Sequence, residues 1–273
     1  MKRNGTIAAT LVGLTRALGN ALVSEQVARR PGLLQALDSR VRVIGLLALV
    51  VAVTLSHRIS VVVALFVVAL LLGLFSQVSL KSLVIRVWLV VLLFTGIIAL
   101  PALFLTPGDP LITFPAGRLR ITAQGLTTAV LLIARVETAV TLTSLLVLTT
   151  PWMHILKALR AFRIPQEVVM ILAMTHRYIF LLAQTASQMF ESRQSRTVGV
   201  LDRSAQRHMT TRTAGVLLSK SVELSNEVFL AMQSRGFRGD AKVLSEFRMR
   251  PWDYIGLLAF LLVGAVAVWV GRS

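Results

Sequence analysis

The chain of 273 residues contains no cysteine. That excludes disulfides, thiolate metal sites and cysteine nucleophiles, although it does not fix a compartment. Charge is also scarce. Charged residues make up 15% of the chain, against about 25% in an ordinary soluble domain. The shortage falls on one sign, with 12 Asp and Glu against 29 Lys and Arg. There is no Gly-rich phosphate loop followed by Lys and Ser or Thr, which nucleotide hydrolysis needs. The four histidines, His57, His154, His176 and His208, lack the i+3 or i+4 carboxylate and histidine neighbours of a metal site. No serine stands in a nucleophile-elbow context. These absences predict a protein that is not an enzyme and has no catalytic, metal or cofactor-binding residues of its own.

What the chain has in abundance is apolar sequence, 55% of its residues, with a mean hydropathy of +0.76. A membrane span needs roughly 17 to 25 mostly apolar residues. Val41 to Ser56 and Ile59 to Phe75 are two candidates, separated by His57-Arg58. Val87 to Thr106 is a third, with Pro101 expected to kink it. Ile121 to Thr150 and Trp252 to Val270 complete five spans. Val168 to Leu182 is apolar enough to be a sixth, although His176 and Arg177 argue against a full crossing. Residues 107 to 120 read as a loop, marked by Pro107, Gly108, Asp109, Pro110 and Pro115-Ala116-Gly117. The predicted fold class is therefore all-α, a polytopic membrane helix bundle.

The lysines and arginines orient these spans. Seven lie in the N-terminal segment up to Arg42, two at Lys81 and Arg86, and fifteen between residues 151 and 250, which is 24 of the 29. Cationic loops are retained on the cytoplasmic side. The N-terminus and the 151–250 segment are thus expected in the cytoplasm and the C-terminus outside. This accounts for the net charge of +17, which in a soluble protein would suggest nucleic acid. The expected divisions are 1–40, an interfacial amphipathic segment with Ile7, Leu11, Leu14, Leu18 and Leu22 at helical spacing; 41–150, four spans; 151–250, cytoplasmic helices; and 251–273, the final span.

The basic segment has clear punctuation. Thr150-Pro151 reads as a cap followed by proline at the first helical position, and Pro165 opens a longer helix towards Arg196. A third helix is expected from near Thr213, with the stripe Leu217, Ser221, Leu224, Val228, Ala231 and Arg235. Two of these helices end in one tripeptide, Gln194-Ser195-Arg196 and Gln233-Ser234-Arg235, with Gly199 and Gly236 just beyond as helix stops. Chance alone repeats a few tripeptides in a chain this long, so the repeat gains weight only from its place at two helix tips. The plain role for such an arginine is to complement the helix macrodipole, for about 0.3 to 1 kcal/mol. The functional role is to offer a cation to a partner.

Arg135 and Glu137 fall near the middle of the fourth span, where a charge is costly unless paired or hydrated. Two residues apart, they point to different faces and are not expected to pair with each other. Two roles stand open for them: a polar contact within the bundle or with a partner subunit, or a tilted helix in which Arg135 snorkels or meets a backbone carbonyl.

Taken together, these residues resemble the transmembrane T component of energy-coupling factor (ECF) transporters, of the CbiQ type that imports cobalt and nickel. That family carries two short Ala-Arg-Gly-like motifs at the ends of two cytoplasmic coupling helices. Ser234-Arg235-Gly236 matches well, whereas Ser195-Arg196-Thr197 keeps only the arginine. The stretch Leu33 to Val43, the run Ile121 to Leu126 followed by Arg135, and Thr150-Pro151, Pro165 and Arg177-Tyr178 fall where the family has comparable residues. The likeness covers residues 30 to 250 or so. It implies two cytoplasmic ATP-binding-cassette ATPase subunits, each receiving one helix tip, and a separate membrane subunit that captures substrate. ATP would be bound by those partners, and no nucleic acid is implied. It also implies a multi-pass protein of the bacterial inner membrane. A T component serving a vitamin transporter would read much the same.

Two other classes compete. A membrane-anchored basic module for anionic lipid or nucleic acid would show salt-sensitive binding that depends on total charge. Glu167, Glu191, Asp202, Glu223, Glu227, Asp240 and Glu246 interrupt its basic face. A self-sufficient channel or carrier would need an inverted repeat or a midplane polar site from several spans. Only Arg135 and Glu137 are candidates for the latter.

Overall fold

The computed structural model describes residues 13, 19, 32–78, 88–107, 110–113, 120–162, 164–196, 202–238 and 250–272. The expected amphipathic helix over Ile7 to Leu22 lies outside them, apart from Gly13 and Gly19, as do Thr197 and Gly199. Among the described residues the helices are α1 (Leu33–Ala36), α2 (Ser39–Leu55), α3 (Ile59–Phe75), α4 (Leu89–Leu105), α5 (Ala123–Thr149), α6 (Trp152–Ala161), α7 (Gln166–Ser195), α8 (Arg203–Ser234) and α9 (Pro251–Arg272). The protein is thus helical, and the five predicted spans coincide with α2, α3, α4, α5 and α9. By length and composition, α5, Gln166–Arg193 of α7 and α9 can each cross a membrane, and Ile59–Phe75 and Leu89–Phe104 are shorter apolar helices. α7 therefore has the dimensions of the candidate sixth span. Pro101 lies inside α4, and the helix runs through it to Leu105.

The segment expected to be a loop contains a short strand pair. β1 (Pro110–Thr113) and β2 (Arg120–Thr122) run antiparallel, with Ile112 opposite Ile121 and Thr113 opposite Arg120. β-branched residues in both arms favour the extended pairing.

The chain divides into two compact units. One comprises residues 25–158 and 247–273, the other residues 1–24 and 159–246. In the first unit α5 packs against α2, α3 and α4, and α9 packs against α2 and α3. Its core is aliphatic: Leu46, Leu49 and Val53 of α2 meet Val62, Leu65 and Ala69 of α3, Leu142 and Leu145 of α5, and Phe260 and Ala267 of α9. Gly45 is required where α2 meets α9, because a Cβ there would fall 2.5 Å from Phe260 Cδ2. Hydrogen bonds fix the sense of this crossing. The Asp38 amide donates to Asp253 Oδ1 at 2.8 Å, and at the other end the His57 amide donates to the Gly271 carbonyl at 3.0 Å. α2 and α9 therefore run parallel. In the second unit α7 and α8 pack together.

The helix starts show two departures from the sequence reading. α8 begins at Arg203, ten residues before Thr213, because the Asp202 carboxylate caps it by accepting from the Ser204 amide. At α6, Thr150 does not act as the cap: its hydroxyl is buried without a hydrogen-bond partner among the described residues. The Pro151 carbonyl takes the first helical bonds instead, from the amides of His154 and Ile155.

Candidate coupling tips and the polar joints of the bundle

α7 and α8 end in similar ways. At the end of α7 the Ser195 hydroxyl donates back to the Ser192 carbonyl at 3.0 Å, and the Arg196 amide donates to the Arg193 carbonyl at 3.2 Å. At the end of α8 the Ser234 hydroxyl donates to the Ala231 carbonyl at 2.9 Å, and the Arg235 amide to the Met232 carbonyl at 3.1 Å. In both tripeptides the serine thus folds onto its own last turn, and the following arginine is where the helix stops.

The second tip has a further device. The Phe237 amide donates to the Met232 carbonyl at 3.0 Å and the Gly236 amide to the Gln233 carbonyl at 2.9 Å, the paired bonds of a Schellman stop. Gly236 has φ +80°, a left-handed conformation that a side chain disfavours. The Ser-Arg-Gly sequence therefore ends the helix at Arg235. For the first tip, Thr197 lies outside the described residues.

Arg196 and Arg235 are both exposed. The two tips are also far apart. α8 has 32 residues and so is about 48 Å long, while the seven residues from Arg196 to Arg203 reach at most about 25 Å. At least about 20 Å therefore separates the two arginines, too far for one small ligand to engage both.

The bundle's arginines are placed differently. Arg42, one turn into α2 and only 4% exposed, donates from Nη1 to the Thr149 carbonyl at 2.5 Å and from Nε to the Leu37 carbonyl at 3.1 Å. Thr149 is the last residue of α5. Arg135 of α5 donates from Nη2 to the Ser56 carbonyl at 2.6 Å, and Ser56 is the C-cap of α2. Each arginine thus serves the partial negative charge at the C-terminus of the other helix. Fourteen residues separate Arg42 from Ser56, and fourteen separate Arg135 from Thr149. The two joints are therefore about 21 Å apart along both helices and set α2 and α5 antiparallel in one register.

Of the two roles considered for Arg135, the structure gives it a backbone carbonyl inside the bundle. Glu137 is 8% exposed, and neither carboxylate oxygen has a hydrogen-bond partner among the described residues. No ion pair joins it to Arg135, consistent with their different faces. The sequence reading counted Arg42 only as one more cation of the N-terminal segment. Its position just inside an apolar run was the signal that it is buried. Asp253 was missed as well. At 5% exposed, it accepts from the amides of Asp38 and Arg250, both at 2.8 Å, and so ties the start of α9 to the start of α2. Among the described residues no group of three His, Asp or Glu side chains could hold a metal ion.

Fold and composition define a polytopic membrane protein built on a helical bundle, with a long helical pair whose ends carry exposed arginines. The sequence profile of the CbiQ cobalt transport protein family matches residues 32–245, and the chain belongs to that family. It is 30% identical to an uncharacterized protein of Methanocaldococcus jannaschii, over 97% of this chain and 91% of that one. It is 26% identical to the cobalt transport protein CbiQ of Rhodobacter capsulatus, over 64% of this chain and 72% of that one. It is 28% identical to the energy-coupling factor transporter transmembrane protein EcfT of Leuconostoc gelidum, over 67% and 69% of the two chains.

Proposed function

We propose that this chain is the coupling subunit of an ECF-type importer, passing ATP-driven motion from two cytoplasmic ATPase subunits to a membrane subunit that captures cobalt or nickel. The observation that carries this reading is the pair of exposed arginines, Arg196 and Arg235, each at the end of a helix some 30 residues long. A guanidinium at such a tip presents several donors in a fixed fork, suited to carboxylates or carbonyls lining a groove. The separation of the tips calls for two receiving surfaces, which a pair of ATPase subunits supplies. Closure of that pair would displace one tip relative to the other, and a stiff helix carries such a displacement along its length as rigid-body motion.

In this reading Ser195, Arg196 and Thr197 form one contact and Ser234, Arg235 and Gly236 the other, and residues 151–250 form the coupling domain on the cytoplasmic face. The chain has no catalytic role and binds no cofactor itself. Membership of the CbiQ family and similarity to an EcfT protein support the assignment. Val216, Leu218, Val222 and Phe229 are exposed along α8, apolar surface suited to a membrane-embedded capture subunit. The cobalt named for the family and the CbiQ resemblance support the metal reading.

The assignment is tested by charge reversal. Arg196→Glu combined with Arg235→Glu is expected to abolish co-purification of the ATPase subunits in mild detergent, while membrane insertion and the elution profile stay unchanged. Retention of the ATPases and of uptake by the double variant would remove these arginines from the interface. The capture subunit that co-purifies with the wild type fixes the substrate class, and one built for an organic vitamin would replace the metal reading.

A further inference from the structure

Beside α9, on the side facing α2, an open groove of about 680 Å³ runs along the first unit. Its α9 wall is one continuous helical face, from Leu261 through Gly264, Ala265 and Trp269 to Arg272, and Ala48 and Ala52 of α2 form the opposite wall. The helices approach closely at its floor, where a Cβ on Gly264 would lie 3.8 Å from the Ala48 carbonyl oxygen. The groove is apolar until its mouth. There Trp269 is 76% exposed and Arg272 is exposed beside it. The hydrogen bond from the His57 amide to the Gly271 carbonyl brings the α2–α3 turn, which carries Arg58, to the end of α9 that carries Arg272. Both arginines are exposed, and neither pairs with an acidic side chain among the described residues.

We propose that this groove seats an acyl chain of one bilayer glycerophospholipid, with its phosphate held by Arg272 and Arg58. Length selects this occupant over a partner helix. Leu261 to Arg272 spans about 16 Å, about half the roughly 30 Å hydrocarbon core. It therefore matches the acyl chain of one leaflet, whereas a crossing helix would need the full depth. Trp and Arg at the mouth stand where a headgroup begins, and guanidinium forks suit phosphate oxygens. A second apolar groove, of about 440 Å³, lies on the other side of α9 and is lined by Ser60, Leu65, Leu262 and Val266 among others. Arg272 does not line it, so it serves as the control for that arginine.

The test is phospholipid retention by the full-length chain after extensive detergent exchange, read by native mass spectrometry and by lipid extraction from the same sample. The wild type is expected to keep about one phospholipid per chain. Arg58→Gln with Arg272→Gln is expected to lower occupancy about tenfold or more, the scale of losing charge-assisted hydrogen bonds. Ala265→Phe fills the groove from an exposed wall and should displace the lipid with both arginines intact, whereas Val266→Phe in the control groove should not. Unchanged thermal midpoints separate these effects from misfolding. Because the chain has no cysteine, Ala265→Cys carries a unique photo-crosslinker for the assembled complex. Crosslinks to phospholipid support the proposal, and crosslinks to a protein subunit overturn it. Equal phospholipid content in wild type, the double glutamine variant and Ala265→Phe would also overturn it.

Discussion

Among the described residues, two pairs of arginines at or against helix C-termini are treated in opposite ways. Arg42 and Arg135 are inside the bundle, and each donates to a terminal carbonyl of a different helix. Arg196 and Arg235 end their own helices and are exposed, with no side-chain hydrogen bond or ion pair to another described residue. The same side chain and the same macrodipole are involved in both places, so the difference is one of environment. In an apolar interior an arginine without a partner costs several kcal/mol, and a helix C-terminus offers unpaired carbonyls with partial negative charge. Buried pairing therefore fixes architecture. At an exposed tip water already satisfies the guanidinium, so the fold gains little from it and its donors remain available to another subunit.

The sharpest way to break this comparison is to remove one cation of each kind. Arg42→Met is expected to destabilise the bundle by about 2 to 4 kcal/mol, because it leaves the carbonyls of Thr149 and Leu37 unpaired in a buried site. Arg196→Met and Arg235→Met should leave the thermal midpoint in detergent unchanged within error. If Arg235→Met lowered the midpoint as much as Arg42→Met, the division between architectural and available arginines would fail. Arg135→Met comes next, at about 1 to 2 kcal/mol, since Arg135 is only half-buried and makes a single side-chain bond among the described residues, to Ser56. Hydrogen exchange should locate that loss at the end of α2, where the Ser56 carbonyl is freed, and not along α7 or α8.

The sequence disclosed some of these features readily and hid others for identifiable reasons. The helices of the expected spans were legible because a long apolar run leaves a signal many residues long. The expected Ile59 to Phe75 matches α3, and Ile121 to Thr150 differs from α5 by two residues at one end and one at the other. The start of α8 was hidden. Residues 203 to 212 are almost wholly polar and have no apolar stripe, yet Asp202 supplies the cap and Ala205, Gln206 and the arginines propagate a helix well. The strand pair was hidden because its two arms are only four and three residues long. The arginine joints could not be read either. Arg135 was visible as a charge in a span, but naming Ser56 as its partner requires the α2–α5 register, which no local pattern encodes. The stop of α8 was legible because Ser-Arg-Gly is itself a local instruction, in which glycine permits the left-handed turn that stops the helix after arginine.

That instruction can be tested within a single helix, with the smallest effects expected here. α8 contains Gly215 in mid-helix and is followed at its stop by Gly236. A Cβ would meet nothing within 4 Å at either position, but only Gly236 has a positive φ. Sterics are therefore equal, and backbone conformation alone separates the two sites. Gly236→Ala should cost about 1 kcal/mol locally, because alanine resists the left-handed region. Exchange at the amides of Gly236 and Phe237, whose bonds form the stop, should rise, and ATPase capture should weaken less than on reversing Arg235. Gly215→Ala should instead stabilise α8 by about 0.5 to 1 kcal/mol, because an exposed helical glycine has more backbone entropy to lose than alanine. Opposite signs for one substitution would show that Gly236 is there to place Arg235. Equal signs would mean that the helix stops there for reasons other than its glycine.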